Sequence, residues 1–161
     1  MAFLAKWSVA GAIGLVLLTG TVEPRSAKAS PEDRLVINPD TGLAISGFDP
    51  VAYFSRHQAV LGDPQFELTQ NGTVWRFLNE GNRAAFVDHP EVYTPRFGGY
   101  DPVAINRGVS VAGNSLIWAV AGDRLFLFYD DAARAEFLAN PGVVIDGAIR
   151  KWPEVARTIA R

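Results

Sequence analysis

The chain has 161 residues, no cysteine and only two histidines. Without cysteine no disulfide can form, thiol–disulfide exchange is excluded, and no thiolate is available to a metal ion. A closed structural zinc site with the usual four Cys or His ligands is excluded as well. The fold must therefore be stabilised by core packing alone, and a lipid anchor on a cysteine is ruled out.

The sequence also lacks an apolar run long enough to cross a membrane. Its densest apolar stretch is residues 7–18, whereas a membrane span needs about 20 apolar residues. This stretch follows Lys6 and precedes Ala27-Lys28-Ala29, a small-x-small cleavage pattern. Residues 1–29 therefore predict a cleavable signal peptide with the cut before Ser30, so that the protein is periplasmic or secreted. The alternative is that the segment is kept as an N-terminal anchor.

Basic runs are absent too. Removal of residues 1–29 leaves 132 residues with 12 basic and 16 acidic side chains, a formal charge of −4. A mildly acidic surface argues against nucleic acid and against an anionic membrane surface as partners. The remaining length suits one domain with one core. We expect an extended lead-in at residues 30–42, with its prolines and Gly42, and a domain at residues 43–161.

Motifs for several kinds of catalysis are missing. The sequence has no Gly-x-Ser-x-Gly elbow, phosphate-binding loop or dinucleotide fingerprint. Ser55 and His57 are close in sequence, but residues two apart on a helix do not face each other. No catalytic residue is therefore predicted. The remaining enzymatic alternative is a carboxylate-dependent hydrolase that would use Asp49 and Asp101.

What the sequence does contain is an internal repeat. Gly-Phe-Asp-Pro-Val-Ala at residues 47–52 recurs as Gly-Tyr-Asp-Pro-Val-Ala at residues 99–104. Arg-Ala-Ala-Phe-Val-Asp-His-Pro at residues 83–90 corresponds to Arg-Ala-Glu-Phe-Leu-Ala-Asn-Pro at residues 134–141. The first pair is 52 positions apart and the second 51, so one gap aligns the two copies. The repeat predicts two related halves, at about residues 43–97 and 98–161.

Each copy predicts a short helix followed by a β-hairpin. Asp49 and Asp101 each precede a proline, and such Asp-Pro pairs open helices because the carboxylate accepts hydrogen bonds from free backbone N–H groups. Asn71-Gly72 and Gly122-Asp123 are two-residue turn signals, the first stronger than the second. The extended runs lie at residues 66–69, 73–77, 117–120 and 125–128.

A second helix should follow each hairpin. Asn79 and Asp130 are the expected N-caps, and the helices should reach about Asp88 and Ala139, where a following proline stops them. The apolar spacing of residues 143–152 predicts an amphipathic C-terminal helix that Pro153 breaks or restarts. The predicted fold is thus α+β: two degenerate helix–hairpin–helix halves that share one core, with the option of a joined sheet, and a C-terminal docking helix.

The order of these motifs resembles that of YHS-domain proteins, and most closely their small exported bacterial branch. The resemblance covers about residues 43–152, although the Tyr-His-Ser triplet that gives the family its name is absent. It implies a binding role related to metal handling. In the exported branch the residue after Gly-Gly-Tyr is typically cysteine or selenocysteine, whereas this chain has Asp101. A carboxylate suits hard or borderline ions rather than soft ones.

Candidate ligand residues cluster at the junction between the halves. Gly98-Gly99 permits close approach of a ligand or of another chain segment, and pockets often form at such interfaces. The candidate ligand-binding residues are Tyr93, Arg96, Gly98, Gly99, Tyr100, Asp101 and Asp49. The alternative for each aspartate is a helix N-cap.

A weaker candidate is a divalent-metal site made of Asp101, His57 and His89. The alternative for His89 is a cation at the end of a helix. The leading functional hypothesis is a non-enzymatic module that binds a metal ion or small ligand. The alternatives are a protein-interaction domain that has lost the family's site with its cysteine, and the hydrolase named above.

Overall fold

A computed structural model describes residues 34–159. The predicted signal peptide and the first residues of the lead-in lie outside the described residues. The described part is a mixed α+β structure with six helices and two small antiparallel sheets, which confirms the predicted fold class. Within residues 34–159, no helix combines the length and apolar character that a membrane crossing requires.

The elements follow the same order in both parts of the chain. The N-terminal segment, residues 43–97, contains α1 (Ala52–Ser55), β1 (Asp63–Gln70), β2 (Thr73–Phe77), α2 (Glu80–Asp88) and α3 (Pro90–Tyr93). The C-terminal segment, residues 98–159, contains α4 (Pro102–Asn106), β3 (Asn114–Ala121), β4 (Arg124–Phe128), α5 (Asp131–Ala139) and α6 (Pro141–Thr158). Short 3-10 turns precede α1 at Ile45–Gly47 and α4 at Arg96–Gly99.

The two hairpins have the predicted turns. β1 pairs with β2 and β3 pairs with β4, and both pairings are antiparallel. The central turn residues all have positive φ: 51° at Asn71, 75° at Gly72, 55° at Gly122 and 56° at Asp123. Two positive φ values in a two-residue loop match the twist of the flanking strands. Both turn predictions are therefore confirmed.

The second helices also begin where the sequence predicts. The side chain of Asn79 accepts a hydrogen bond from the Asn82 N–H at 2.9 Å. In the same way, Asp130 accepts one from the Ala133 N–H at 2.8 Å. Both N-caps are confirmed, and α2 and α5 each have nine residues. The proline beyond each helix is the first residue of the next one, where its missing N–H is tolerated.

Pro153 does not end the C-terminal helix. It lies inside α6, which runs on to Thr158, so the prediction of a break or restart is wrong. Proline removes one backbone hydrogen bond from a helix. Burial of one apolar face on both sides of the proline offsets that loss, because tertiary packing supplies most helical stability. The buried residues of this face are Val144, Ala148, Trp152, Val155 and Ala156.

The buried apolar side chains form two clusters, so the expectation of one shared core is not confirmed. One cluster contains Phe126 and Phe128 together with the buried face of α6. The other contains Leu125 and Leu127 together with Tyr53 and other side chains of the N-terminal segment. Because successive strand residues point to opposite faces, β4 lies between the two clusters and contributes to both.

The two hairpins do not form a joined sheet; each is a separate two-stranded sheet. The edge of β2 is instead met by the chain that leads into the domain. Leu43 forms a parallel bridge with Val74, and the Ala44 N–H donates to the Val74 carbonyl at 2.9 Å. The Val74 carbonyl at the edge of β2 is therefore already hydrogen-bonded and does not accept a bond from a strand of the other hairpin.

Candidate functional site

A cavity lies at the junction between the segments, and it is larger than a second cavity in the C-terminal segment. Its volume is about 610 Å³, within the roughly 300–1,000 Å³ range of small-molecule sites. One wall comes from the residues around the second 3-10 turn and the other from α6. The lining residues are Glu91, Thr94, Pro95, Arg96, Phe97, Gly98, Arg124, Ile149, Trp152 and Pro153.

This cavity combines aromatic surface with positive charge. Arg96 and Arg124 line it with guanidinium groups, and Glu91 lines it with a carboxylate. The Arg96 guanidinium carbon lies 5.4 Å from the centre of the Phe97 ring, within cation–π range. The Phe97 and Trp152 rings meet edge to face with their centres 5.7 Å apart. The arrangement favours a small molecule that has both an apolar body and a negative charge.

Residues 34–36 pack so closely against Gly98 that no side chain fits at this position. Its φ is +62°, and a Cβ atom placed on it would lie 1.5 Å from the Arg34 carbonyl oxygen. The Gly98 carbonyl in turn accepts a hydrogen bond from the Val36 N–H at 2.8 Å. The close approach that Gly98-Gly99 permits is therefore made by residues 34–36. Of the two options left open by the sequence, the structure has the second, a chain segment.

The two junction tyrosines face different neighbours. The Tyr93 ring packs edge to face on Phe54 at 5.4 Å, whereas the Tyr100 ring lies 5.9 Å from Trp152. Burial raises the pKa of the Tyr100 hydroxyl, and the positive charge of Arg34 opposes this by a smaller amount. Neither tyrosine lines the larger cavity. Of the candidate ligand residues, only Arg96 and Gly98 line it.

Asp49 is a completely buried cap. Its Oδ1 accepts hydrogen bonds from the Val51 and Ala52 N–H groups at 2.8 and 3.3 Å. Its Oδ2 accepts from the Leu78 N–H at 2.7 Å and from Asn82 Nδ2 at 2.6 Å. The carboxylate therefore ties the start of α1 to the end of β2 and the first turn of α2. The two Oδ1 bonds have the pattern of an N-cap on the turn that leads into α1, whereas the two Oδ2 bonds are tertiary contacts that the N-cap interpretation does not predict.

Asp101 repeats this geometry in the C-terminal segment, where it is 1 % exposed. Its Oδ1 accepts from the Val103 and Ala104 N–H groups, again at 2.8 and 3.3 Å. Its Oδ2 accepts from the Tyr129 N–H at 2.9 Å. Asp101 also lines the smaller cavity, whose lining does not include Asp49. The two carboxylates therefore do not share a cavity, as a hydrolytic pair would need to.

The structure does not bring His57, His89 and Asp101 together. Both histidines are exposed, whereas Asp101 is buried. His89 Nδ1 lies 3.6 Å from the Glu91 carboxylate. Among residues 34–159, no group of three or more His, Asp or Glu side chains is placed to hold a metal ion. His89 follows the last residue of α2, as its alternative role requires.

The sequence does not predict the hydrogen bonds between the two segments at Tyr53 and Ser115. The Tyr53 hydroxyl donates to the Ser115 carbonyl at 2.8 Å, and the Ser115 hydroxyl donates to the Ile45 carbonyl at 2.9 Å. Burial raises the pKa of Tyr53 well above its ordinary value; the Ser115 side-chain hydroxyl opposes this by a smaller amount and the charge of Asp49 adds to it. Only the tertiary structure places residues so distant in sequence together.

Arg124, Trp152 and Glu91 also escaped the site prediction. Arg124 begins β4, Trp152 lies in α6 and Glu91 lies in α3, so the cavity is assembled from distant parts of the sequence. No motif joins them. Comparisons with protein-family models, with curated proteins and with solved structures find no match for this chain.

Proposed function

We propose that the protein is a non-enzymatic binding module that takes a small organic anion in the larger cavity. The observation that carries the proposal is that the Arg96 guanidinium lies over the Phe97 ring, which meets the Trp152 ring edge to face, in a cavity of about 610 Å³. A guanidinium group binds a carboxylate or phosphate through charge-assisted hydrogen bonds, and the rings offer an apolar surface to a planar ligand.

The family and the cellular location are part of the same proposal. The ordered motifs of residues 43–152 and the predicted signal peptide support an exported YHS-like protein. The repeated element order and the matching bonds of Asp49 and Asp101 support two degenerate halves. The apolar face of α6 supports its role as a helix that docks on the C-terminal half.

An organic ligand is favoured over a metal ion by the groups that line the cavity. Its charged groups are two guanidinium groups and one carboxylate, whereas divalent ions need several oxygen or nitrogen ligands. Asp101 lies in the other cavity, and its oxygens already accept three backbone hydrogen bonds. For these reasons the proposed ligand is a molecule rather than an ion.

A thermal-melt screen of the purified protein tests this proposal. The probes are benzoate, phenylacetate and phenyl phosphate, with benzyl alcohol as an uncharged control at the same ionic strength. A ligand that binds only the folded state raises the melting temperature, so we expect a saturable rise with at least one anion and none with the alcohol. Arg96→Gln should weaken that binding by about tenfold or more, because a charge-assisted bond is lost.

The matched control for Arg96→Gln is Arg56→Gln, which makes the same charge change at an exposed position of the N-terminal segment. It should leave the response to the anions unchanged. The proposal is wrong if none of the three anions gives a saturable rise. It is also wrong if Arg96→Gln binds the anions as tightly as Arg56→Gln and the wild-type protein do.

A protein-interaction domain is the second candidate. Several large apolar side chains are more than half exposed, and these include Leu61, Leu116, Tyr129 and Val143. Such residues are common on protein surfaces when they occur singly, so this observation carries less weight than the cavity. If the anion screen is negative, this candidate becomes the leading one.

A further inference from the structure

The two buried aspartates differ in one neighbour. Oδ2 of Asp49 accepts two hydrogen bonds, one from the Leu78 N–H and one from the side-chain amide of Asn82. Oδ2 of Asp101 accepts the bond that corresponds to the first, from the Tyr129 N–H. Among residues 34–159, no side-chain donor takes the place of the Asn82 amide at Asp101 Oδ2.

Ala133 occupies the position that Asn82 has in the N-terminal segment. The N-cap of α2 accepts from the Asn82 N–H, and the N-cap of α5 accepts from the Ala133 N–H. Both residues are therefore third in their helices, and the sequence repeat aligns them at the same offset of 51. Alanine has no side-chain donor and three fewer heavy atoms than asparagine. Both the hydrogen bond to the aspartate and the volume of the amide group are therefore missing at Ala133.

The smaller cavity lies at this position. Its volume is about 290 Å³. Its lining includes Asp101, Val103, Val109, Val111, Asp130 and Ala133. Asp101 is its buried acceptor, and aliphatic side chains provide much of the remaining surface.

The charges of the lining favour a cation. Three of the lining residues are acidic and one, Arg107, is basic. Arg107 forms an ion pair with Glu136 across the cavity lining, so its charge is already matched. The carboxylates of Asp101 and Asp130 then leave an excess of negative charge. An opposite charge close to a carboxylate is favourable.

We propose that this cavity binds a small organic cation, an alkylammonium or alkylguanidinium ion. Its N–H group donates to Asp101 Oδ2 in the place that the Asn82 amide takes at Asp49. Its alkyl chain packs against Val103, Val109 and Val111. This site is separate from the anion cavity, with which it shares no lining residue.

An NMR titration of the purified protein tests the proposal. The probes are n-butylammonium and n-butylguanidinium at constant ionic strength, with n-butanol as the uncharged control. Saturable shifts are expected at the backbone amides of Val103, Ala104 and Tyr129 with at least one of the cations and not with n-butanol. The amides around Asp49 should not move, because the Asn82 side chain already bonds that carboxylate.

Two variants fill the cavity and one serves as a control. Ala133→Asn supplies the missing amide, and Ala133→Val supplies volume without a donor. Each should weaken binding of the cations by about tenfold or more, because a buried acceptor can no longer be reached by the ligand. Ala135→Asn makes the same substitution at an exposed position of α5 and should bind as the wild-type protein does.

Three results would overturn the proposal: neither cation saturates the wild-type protein, n-butanol produces the same shifts, or Ala133→Asn and Ala133→Val both bind like the wild type. In those cases Asp101 is a helix cap only. The cation probes test this site and the anion probes test the larger cavity, so a failure of one proposal is distinguishable from a failure of the other. Arg96→Gln should leave the butylammonium titration unchanged.

Discussion

Asp49 and Asp101 have the same backbone partners and different surroundings. Each caps a short helix with Oδ1 and reaches the residue after a return strand with Oδ2. The carboxylate of Asp49 is closed off by the Asn82 side chain, whereas that of Asp101 borders a cavity beside Ala133. A single replacement at an equivalent position thus separates a carboxylate that accepts four hydrogen bonds from one that accepts three.

The return strands differ in a comparable way. In β2 buried and half-buried residues alternate, as expected of a strand with one covered face. In β4 the last four residues are all buried, because both of its faces carry a cluster of core side chains. Arg76, whose guanidinium pairs with Glu67, corresponds in the repeat to the buried Leu127. Both segments therefore keep the hairpin, but only the return strand of the second hairpin, β4, is buried on both faces.

The largest expected effect comes from removing the two carboxylates. We expect Asp49→Ala to lower the free energy of unfolding by about 4 kcal/mol and Asp101→Ala by about 3 kcal/mol, since a lost N-cap and orphaned buried donors both contribute. Asp49 accepts four hydrogen bonds and Asp101 accepts three, which sets the order. Urea denaturation of both variants measures the difference.

Asp88→Ala is the matched control for these two variants. Asp88 is an exposed aspartate at the end of α2, and its replacement should change the free energy of unfolding by less than about 0.5 kcal/mol. An equal loss in Asp49→Ala and Asp101→Ala would show that the Asn82 contact contributes nothing, and the comparison on which the cation site rests would lose its energetic support.

A smaller effect is expected at the contact between the segments. Tyr53→Phe removes the hydroxyl that donates to the Ser115 carbonyl and leaves that buried acceptor unpaired. We expect a loss of about 1–2 kcal/mol at pH 7. The repeat places the apolar Ile105 at the corresponding position of the C-terminal segment, so this contact exists on one side of the molecule only.

The same variant makes a prediction about pH. Burial raises the pKa of Tyr53 in the folded protein above its ordinary value of 10.0. Above pH 10 the unfolded chain therefore loses this proton while the folded protein keeps it, and stability falls by about 1.4 kcal/mol per pH unit. Tyr53→Phe should lack this contribution, so the stability difference from wild type should narrow as the pH rises above 10.

Tyr129→Phe is the control, because it makes the same change at a side chain that is 62 % exposed. It should follow the wild-type pH dependence. If Tyr53→Phe also follows it, the Tyr53 hydroxyl is not shielded from water as described. Urea denaturation at several pH values between 7 and 11 distinguishes these results.

The local elements were predictable because their signals lie within a few residues of one another. The caps Asn79 and Asp130, the two turns and the ends of α2 and α5 all follow from backbone chemistry and short-range spacing. The sequence predicts the effect of Pro153 wrongly because that effect depends on how well the flanking residues are buried. The separation into two clusters was not predictable either, since the sequence predicts both strands that follow the turns only as extended runs.

The candidate site was predictable only as a region. The junction was correctly expected to be where chain segments approach closely, but Gly98 serves residues 34–36 and only two candidate residues line the larger cavity. Its other charged and aromatic groups are Phe97 in the second 3-10 turn, Glu91 in α3, Arg124 in β4 and Trp152 in α6. The difference between Asn82 and Ala133 is visible in the repeat. Its structural consequence is the hydrogen bond from the Asn82 side chain to Asp49, which the spacing of residues does not predict.

The smallest expected effect concerns the turns. Both central residues of each turn have positive φ, and Asn-Gly suits that geometry better than Gly-Asp. Glycine in the second place accepts positive φ without strain, whereas Asp123 does not, and asparagine in the first place has less conformational freedom to lose than Gly122. The double variant Gly122→Asn/Asp123→Gly should therefore gain about 1 kcal/mol in the free energy of unfolding.

The reverse exchange completes the comparison. Asn71→Gly/Gly72→Asp should lose about the same amount, because the two hairpins have the same turn geometry and a Cβ at Gly72 or Gly122 meets no other atom within 4 Å. Urea denaturation of both variants and of their combination measures the effects, and the combination should return to wild-type stability within about 0.5 kcal/mol. Changes of the same sign in the two hairpins would contradict this. They would mean that contacts beyond the turn, rather than its backbone angles, decide which pair of residues each turn prefers.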